Sequence, residues 1–300
     1  MKNTIKIFAT GLVLSIVISP LRSGFVNIFG LTGFPLSAIV GFLIYFFITI
    51  YFLKKYQKKL SNSRVVLSFA LGISLISFTI HIFSYPYTLV SLLETLIQLS
   101  SVFFAWLVYR IKNRYYQIPT LVLSFAFCFV LSTTGYELWL NKLNYGSFTG
   151  RIESIHTSEN VLVQNMKGDT LALSSLKAEY LLVDCWSTTC GICYREMKNV
   201  QKLYDKYRDN PSIQIITLHA RMEKNNESHD TGAEILKREG YTLPTLSINI
   251  SDPNLKELGV TAYPTVLIFN KDGKLVFRGN IDYGEKYLQA AVSEKTQKAH

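Results

Sequence analysis

Long apolar segments fill the first half of the chain. Four of them approach the roughly 20 residues that a helix needs to cross a bilayer: Leu36–Leu53, Val65–Phe83, Leu89–Tyr109 and Ile118–Leu138. A shorter fifth segment, Ile7–Ile18, ends before Pro20 and has the length of a signal segment or of a short span. We favour the span, because Ser19-Pro20-Leu21-Arg22 is a poor cleavage site. The sequence therefore predicts an all-α transmembrane bundle of about five spans in residues 1–140.

Charge is distributed very unevenly between the two halves. Residues 1–150 carry 12 Lys and Arg against two acids, Glu94 and Glu137, whereas residues 151–300 carry 19 of each sign. The whole formal charge of +10 therefore lies between apolar segments, which argues against a basic nucleic-acid surface. Lys54–Arg64 and Arg110–Arg114 form basic loops, which stay in the cytoplasm. We therefore expect a multi-pass protein of the cell (inner) membrane with a cytoplasmic N-terminus. Five spans then place the second half on the periplasmic or extracellular side.

Three polar or reactive residues stand out within the membrane half. An ionisable residue in a span, here Glu94, is a candidate functional residue. Since it is about six residues from a loop, we expect its side chain to reach the interface; a partnership with His81 is the alternative. Cys128 is the only cysteine of this half. A membrane dithiol relay needs two exchanging cysteines, so we expect Cys128 to be a small buried residue.

The second half has the order of elements of an α/β domain. A polar linker is expected at 141–150 and the domain itself at 151–300. A β-hairpin comes first, then an almost wholly apolar strand, Tyr180–Ser187, of the kind found at the centre of a sheet. Further predicted elements are a strand at Ile152–Ile155, hairpin strands at Val161–Gln164 and Thr170–Leu173, strands at Ile213–Ala220, Thr245–Ile250, Thr265–Asn270 and Lys274–Gly279, and helices at Gly191–Tyr207, Ala233–Glu239, Asp252–Leu258 and Tyr283–Lys295. This order predicts a mixed sheet with an N-terminal hairpin.

Two cysteines, Cys190 and Cys193, lie where the central strand gives way to a helix. A sulfur at a helix N-terminus lies over unpaired N–H groups and the positive end of the helix dipole, which lower a thiol's pKa. Structural zinc would need a second ligand pair, and the five histidines are scattered. We therefore expect a reactive dithiol without a metal or cofactor. On the predicted strand the side chain of Cys185 points to the face opposite to those of its neighbours, and we expect Cys185 to be buried and inert.

The surroundings of the dithiol resemble a known family. Trp186 lies four residues before Cys190, Asp184 six before it, and Glu196 three after Cys193. Ala262-Tyr263-Pro264-Thr265 precedes a later strand. In this order the features resemble the thioredoxin fold, and within it the TlpA/ResA-like membrane-anchored thiol–disulfide oxidoreductases. The resemblance covers about residues 151–300 and none of the membrane half.

The resemblance implies roles for the residues that match. Cys190 corresponds to the exposed nucleophile and Cys193 to the resolving thiol. Glu196 and Asp184 correspond to carboxyl groups that move protons during exchange, although a first-turn acid and a solvated strand-end residue are the plainer readings. Thr189 and Ile192 depart from the family's pattern, since an aromatic residue and a proline are usual there. The direction of electron flow therefore stays open.

A second group of matching residues is expected to bind substrate. Pro264 corresponds to the family's cis-proline, which lies against the dithiol. Tyr263 would offer backbone atoms to an extended substrate segment, and Trp186 is expected to contribute a contact next to the dithiol.

The leading hypothesis is a membrane-anchored enzyme that reduces disulfides of exported proteins. Because the chain lacks a second dithiol, a separate dithiol electron donor is implied as a partner, alongside the lipid bilayer. Two alternatives remain. One is a disulfide-forming oxidase or isomerase. The other is a membrane sensor or transporter with an accessory thioredoxin domain, supported only by Glu94 and His81.

Overall fold

The computed structural model describes residues 1–85, 88–152, 157–159, 161–176 and 178–298. The chain divides into two compact units, Met1–Leu140 and Asn141–His300. Most of the strand predicted at Ile152–Ile155 lies outside the described residues. The predicted division into a transmembrane domain at 1–140, a linker at 141–150 and a further domain at 151–300 stays a prediction.

The first unit consists mainly of helices where it is described. Its helices are α1 (Lys2–Ile18), α2 (Gly33–Tyr56), α3 (Asn62–Phe83), α4 (Leu89–Arg110), α5 (Arg114–Val130) and the first half of α6 (Tyr136–Tyr145), which ends in the second unit. A π-helical turn joins the last two. Within the described chain, five helical segments are long and apolar enough to cross a membrane, which matches the number predicted from the sequence.

Glycines allow two of these helices to approach closely. A Cβ atom at Gly72 on α3 would lie 2.2 Å from the carbonyl oxygen of Phe8 on α1. A Cβ atom at Gly11 would lie 2.8 Å from the carbonyl oxygen of Phe69. Small residues at such contacts are typical of helix packing in membranes, where close backbone contact replaces the hydrophobic effect.

The position of Glu94 differs from the one expected. Its side chain is fully buried rather than extended to an interface. One carboxylate oxygen lies 2.8 Å from Nε of Arg22, in the turn after α1. The other accepts hydrogen bonds from the Ser37 hydroxyl at 2.5 Å and from Nε2 of Gln98 at 2.9 Å. Arg22, and not His81, is therefore the partner of Glu94, and the cluster connects α2, α4 and the turn after α1.

The second unit contains a mixed sheet of seven described strands. They are β1 (Leu162–Gln164), β2 (Thr170–Ala172), β3 (Tyr180–Trp186), β4 (Ile213–Arg221), β5 (Thr245–Asn249), β6 (Thr265–Asn270) and β7 (Leu275–Gly279), in the spatial order β2-β1-β5-β4-β3-β6-β7. The central strand β3 is parallel to β4 and antiparallel to β6. The predicted mixed sheet and its N-terminal hairpin are both confirmed.

Helices and two hydrophobic cores cover the two faces of this sheet. The helices are α7 (Gly191–Tyr207), α8 (Thr231–Arg238), α9 (Pro253–Glu257) and α10 (Ile281–Lys298). Leu182 and Trp186 of β3 pack in one core with Met197 of α7. Val183 and Cys185 pack in the other core. The alternation of side chains along β3 therefore assigns neighbouring residues to opposite layers.

Residues 141–152, predicted in large part as a linker, comprise the end of α6 and a segment whose last residues lie beside the edge strand β7. We call them the strap. The backbone N–H of Arg278 donates to the carbonyl of Gly150 at 2.9 Å, and that of Ile152 donates to Val276 at 3.2 Å. Arg151 also forms a β-bridge with Phe277. The strap is thus part of the second unit and is hydrogen-bonded to the edge strand β7.

Candidate active site

The dithiol lies at the junction of β3 and α7, as the sequence predicts. Cys190 is the N-cap of α7 and forms a disulfide with Cys193. Sγ of Cys190 also accepts a hydrogen bond from the backbone N–H of Cys193 at 3.1 Å. Cys193 is buried, whereas Cys190 is half-buried. Cys190 is therefore the sulfur that a partner can reach.

The Pro264 loop is brought to the same end of the sheet by strand direction. Since β6 is antiparallel to β3, the start of β6 lies beside the end of β3, and Cys185 pairs with Thr265. The Tyr263–Pro264 peptide bond just before β6 is cis, as the resemblance implied. Both residues line a cleft of 290 Å³ together with Ile192, which separates the two cysteines.

Two carboxyl groups line the same cleft. Asp184 is only 3% exposed. Burial, and secondarily the charge of Glu196, raise the pKa of Asp184 from 3.8 to about 8. Glu196 accepts a hydrogen bond from Nδ2 of Asn199 at 2.7 Å. A carboxyl group with a pKa near 8 changes its protonation close to neutral pH, as a proton carrier for thiol exchange must.

Trp186 does not have the surface expected of a substrate contact. Its side chain is fully buried. Its ring lies against His219, with centroids 5.1 Å apart, and meets the edge of Tyr194 at 5.9 Å. Trp186 occupies the layer beneath α7 because β3 alternates its side chains between the two faces. We therefore correct its predicted role to that of a core residue that supports the dithiol loop.

A further set of polar residues beside the dithiol was not predicted. His219 of β4 is fully buried, and its Nε2 lies 3.4 Å from a carboxylate oxygen of Glu227. Glu227 accepts hydrogen bonds from the backbone N–H of Met222, at 2.7 Å, and from the hydroxyl of Thr188 in the dithiol loop. The loop after β4 is thereby fastened to the dithiol loop. The signal in the sequence was a histidine within a strand rich in isoleucine and leucine.

Protonation in this set follows from its burial and hydrogen bonds. Burial lowers the pKa of His219, and the nearby Glu227 carboxylate offsets part of that effect. Burial opposes ionisation of Glu227, but hydrogen bonds from Thr188 and Met222 lower its pKa overall. The carboxylate of Glu227 is therefore ionised at neutral pH while it holds the dithiol loop. Across the described residues, no group of three or more His, Cys, Asp or Glu side chains is arranged to hold a metal ion.

The sequence is similar to those of known thiol-disulfide oxidoreductases. A family described as thioredoxin-like matches residues 178–275. The thiol-disulfide oxidoreductase ResA of Halalkalibacterium halodurans is 27% identical over 120 residues, which cover 39% of this chain and 62% of that protein. ResA of Bacillus cereus is 28% identical over 167 residues, which cover 55% of this chain and 87% of that protein. The first alignment thus spans less than two thirds of the relative.

Solved structures give similar coverage. An exposed lipoprotein thioredoxin of Streptococcus pneumoniae matches 43% of this chain and 97% of its own, at 23% identity and a TM-score of 0.37. The C-terminal domain of a putative thiol-disulfide oxidoreductase of Bacteroides thetaiotaomicron matches 47% and 97%, at 17% identity and a TM-score of 0.41.

Strand order, dithiol and family match together define the class of the second unit as thioredoxin-like. More particularly, the C-terminal half of the chain is similar to the thiol-disulfide oxidoreductase ResA.

Proposed function

We propose that this protein is a membrane-anchored thiol–disulfide oxidoreductase that reduces disulfides of exported proteins on the outer side of the cell membrane. Its location rests on five apolar helical segments and on the basic loops between them. Its chemistry rests on one observation above all. An accessible Cys190 at a helix N-terminus is linked to a buried Cys193, beside a carboxyl group that titrates near neutral pH.

The proposed reaction begins with the reduced dithiol. The Cys190 thiolate attacks one sulfur of a substrate disulfide, so that a mixed disulfide forms and the first substrate thiolate leaves. Cys193 then gives its proton to the Asp184 carboxylate and attacks Sγ of Cys190. The second substrate thiolate leaves, and the Cys190–Cys193 disulfide forms. Two electrons have passed from the dithiol to the substrate, and the protons on Asp184 and in solvent neutralise the two product thiolates.

Return to the reduced form requires two electrons from a separate dithiol donor. The remaining cysteines of the chain are Cys128 and Cys185. They are 3% and 0% exposed, so neither presents a sulfur for exchange. Burial and the neighbouring Asp184 also raise the pKa of the Cys185 thiol well above its usual value, which leaves it unreactive.

The dithiol potential decides between this proposal and a disulfide-forming enzyme. The pair between the cysteines, Gly191-Ile192, tunes thiolate stability and therefore the potential. A value near about −270 mV, as in thioredoxin, would support a reductant, and one near about −120 mV an oxidant. The measurement is an equilibration of the full-length chain with glutathione redox buffers.

Trapping of the intermediate tests the reaction and identifies substrates. A Cys193→Ser variant keeps Cys190 but cannot resolve the mixed disulfide, so it should accumulate covalent adducts with exported proteins that disappear on reduction. Cys190→Ser is the matched control and should form none. Equal amounts of covalent adduct on both variants, or full cellular function of a chain lacking both thiols, would contradict the proposal.

A further inference from the structure

Tyr145, at the end of α6, is held at two points of the second unit. Its side chain is only 8% exposed. Its hydroxyl donates a hydrogen bond to the carbonyl oxygen of Pro264 at 3.1 Å. Its own carbonyl accepts a hydrogen bond from Nε of Arg278 at 2.9 Å. The phenol therefore connects the strap to the loop that precedes β6.

The path of the strap is fixed where it follows Tyr145. Nη1 of Arg278 donates to the carbonyl of Leu258 at 2.9 Å, so one guanidinium holds both the strap and the loop after α9. Gly150 has a φ of +81°, and a Cβ atom there would lie 2.2 Å from the ring of Phe277. Only glycine permits this approach. Tyr145 is thus placed by a segment whose own course is tightly constrained.

This placement makes Tyr145 part of the wall of the dithiol cleft. It lines the cleft of 290 Å³ together with Asp184, Ile192, Glu196 and Pro264. Ile192 is half exposed and directly precedes Cys193, so the cleft lies beside the loop that carries the dithiol. A protein segment that lies in this cleft therefore contacts a surface that includes the strap.

We propose that Tyr145 is a positioning residue of the dithiol site, which holds the Pro264 loop by its hydroxyl and limits the cleft by its ring, and so favours extended protein segments as substrates. The inference rests on the proposed function. A loop fixed before the substrate arrives loses less freedom on binding, which improves affinity for a segment that lies along the loop. A small disulfide that contacts only Cys190 gains no affinity from the fixed Pro264 loop.

The test is a comparison of two substrates with the full-length chain in detergent micelles, reduced by dithiothreitol. Tyr145→Phe removes the hydroxyl and keeps the ring. Loss of one hydrogen bond corresponds to an increase of about three- to tenfold in the KM for insulin. The kcat for insulin, the rate with oxidised glutathione and the dithiol potential should stay at their wild-type values.

Two further variants separate positioning from general damage. Tyr116→Phe is the matched control, since Tyr116 is 61% exposed on α5, and it should change nothing. Arg278→Met releases the strap without altering a residue that lines the cleft, and should raise the KM for insulin in the same selective way.

Three results would overturn the inference: an unchanged KM for insulin in Tyr145→Phe, an equal loss with both disulfides, or a shift of the dithiol potential. A wild-type chain that reduces neither disulfide would instead remove the proposed function, and this inference with it.

Discussion

The buried carboxyl group of Asp184 should make the stability of the second unit depend on pH. Its pKa is raised from 3.8 to about 8 by burial first and by Glu196 second. Between these values the unfolded chain releases a proton that the native chain keeps. Since the native state binds more protons, its stability falls as the pH rises through this window. Above about pH 8 the native carboxyl group is also ionised, and the loss becomes constant.

The size of the effect follows from the shift. Each pH unit inside the window corresponds to about 1.4 kcal/mol. Between about pH 6 and about pH 8 the expected loss is about 2 kcal/mol, because titration of the native carboxyl group flattens the curve near its pKa. Asp184→Asn cannot ionise, so its free energy of unfolding should exceed that of the wild type by an amount that grows by about 2 kcal/mol over the same interval.

Hydrogen exchange of the β3 amides measures this free energy in the full-length oxidised chain, after correction for the intrinsic pH dependence of exchange. Asp205→Asn, on the half-exposed side of α7, is the control and should keep the wild-type slope. Glu196→Gln should narrow the window, because it removes the second cause of the shift. A wild-type opening free energy that is constant from about pH 6 to about pH 8, or an Asp184→Asn slope equal to that of the wild type, would refute this reasoning.

Two other clusters give predictions of the same kind. Glu94→Gln leaves the guanidinium of Arg22 without its carboxylate and should destabilise the first unit by about 3 kcal/mol, the lower end of the range for a broken buried pair, since Arg22 is partly exposed. The midpoint of thermal unfolding in detergent measures this loss. A double variant at both positions that is no more stable than Glu94→Gln would argue against the pair. Glu227→Ala removes the carboxylate that accepts hydrogen bonds from Thr188 and Met222, and it should accelerate hydrogen exchange in the dithiol loop about tenfold or more. Glu227→Gln should accelerate this exchange less. Equal exchange rates in the wild type and both variants would show that the carboxylate does not hold the loop.

The sequence was most informative where structure depends on local pattern. The helix predicted at Gly191–Tyr207 has the same bounds in the structure, and β3 ends one residue before the predicted strand. The strand follows from a long apolar run and the helix from a helical period, with the pair of cysteines at the boundary between them. The number of apolar helices is equally local, because length and hydropathy alone set it.

The sequence was least informative where residues distant along the chain meet. Arg22 and Glu94 are paired across most of the first unit, and no period in the sequence joins them. The strap contains enough polar residues to resemble a linker, yet its backbone is hydrogen-bonded to β7 and its Tyr145 side chain is buried. His219 becomes meaningful only when the loop after β4 folds back with Glu227. Such pairings depend on tertiary packing, which overrides local composition.

The alternation of side chains along β3 also separates the Cys185 thiol from the Cys190–Cys193 disulfide. Cys185 is five residues before Cys190, close enough along the chain to compete for a disulfide. It packs in the core on the face opposite to the one that contains Cys193 and Trp186, so the thickness of the sheet insulates it from the reactive pair. A slip of β3 by one residue would exchange the faces of Asp184 and Cys185. The register of this strand therefore keeps Cys185 away from the Cys190–Cys193 pair.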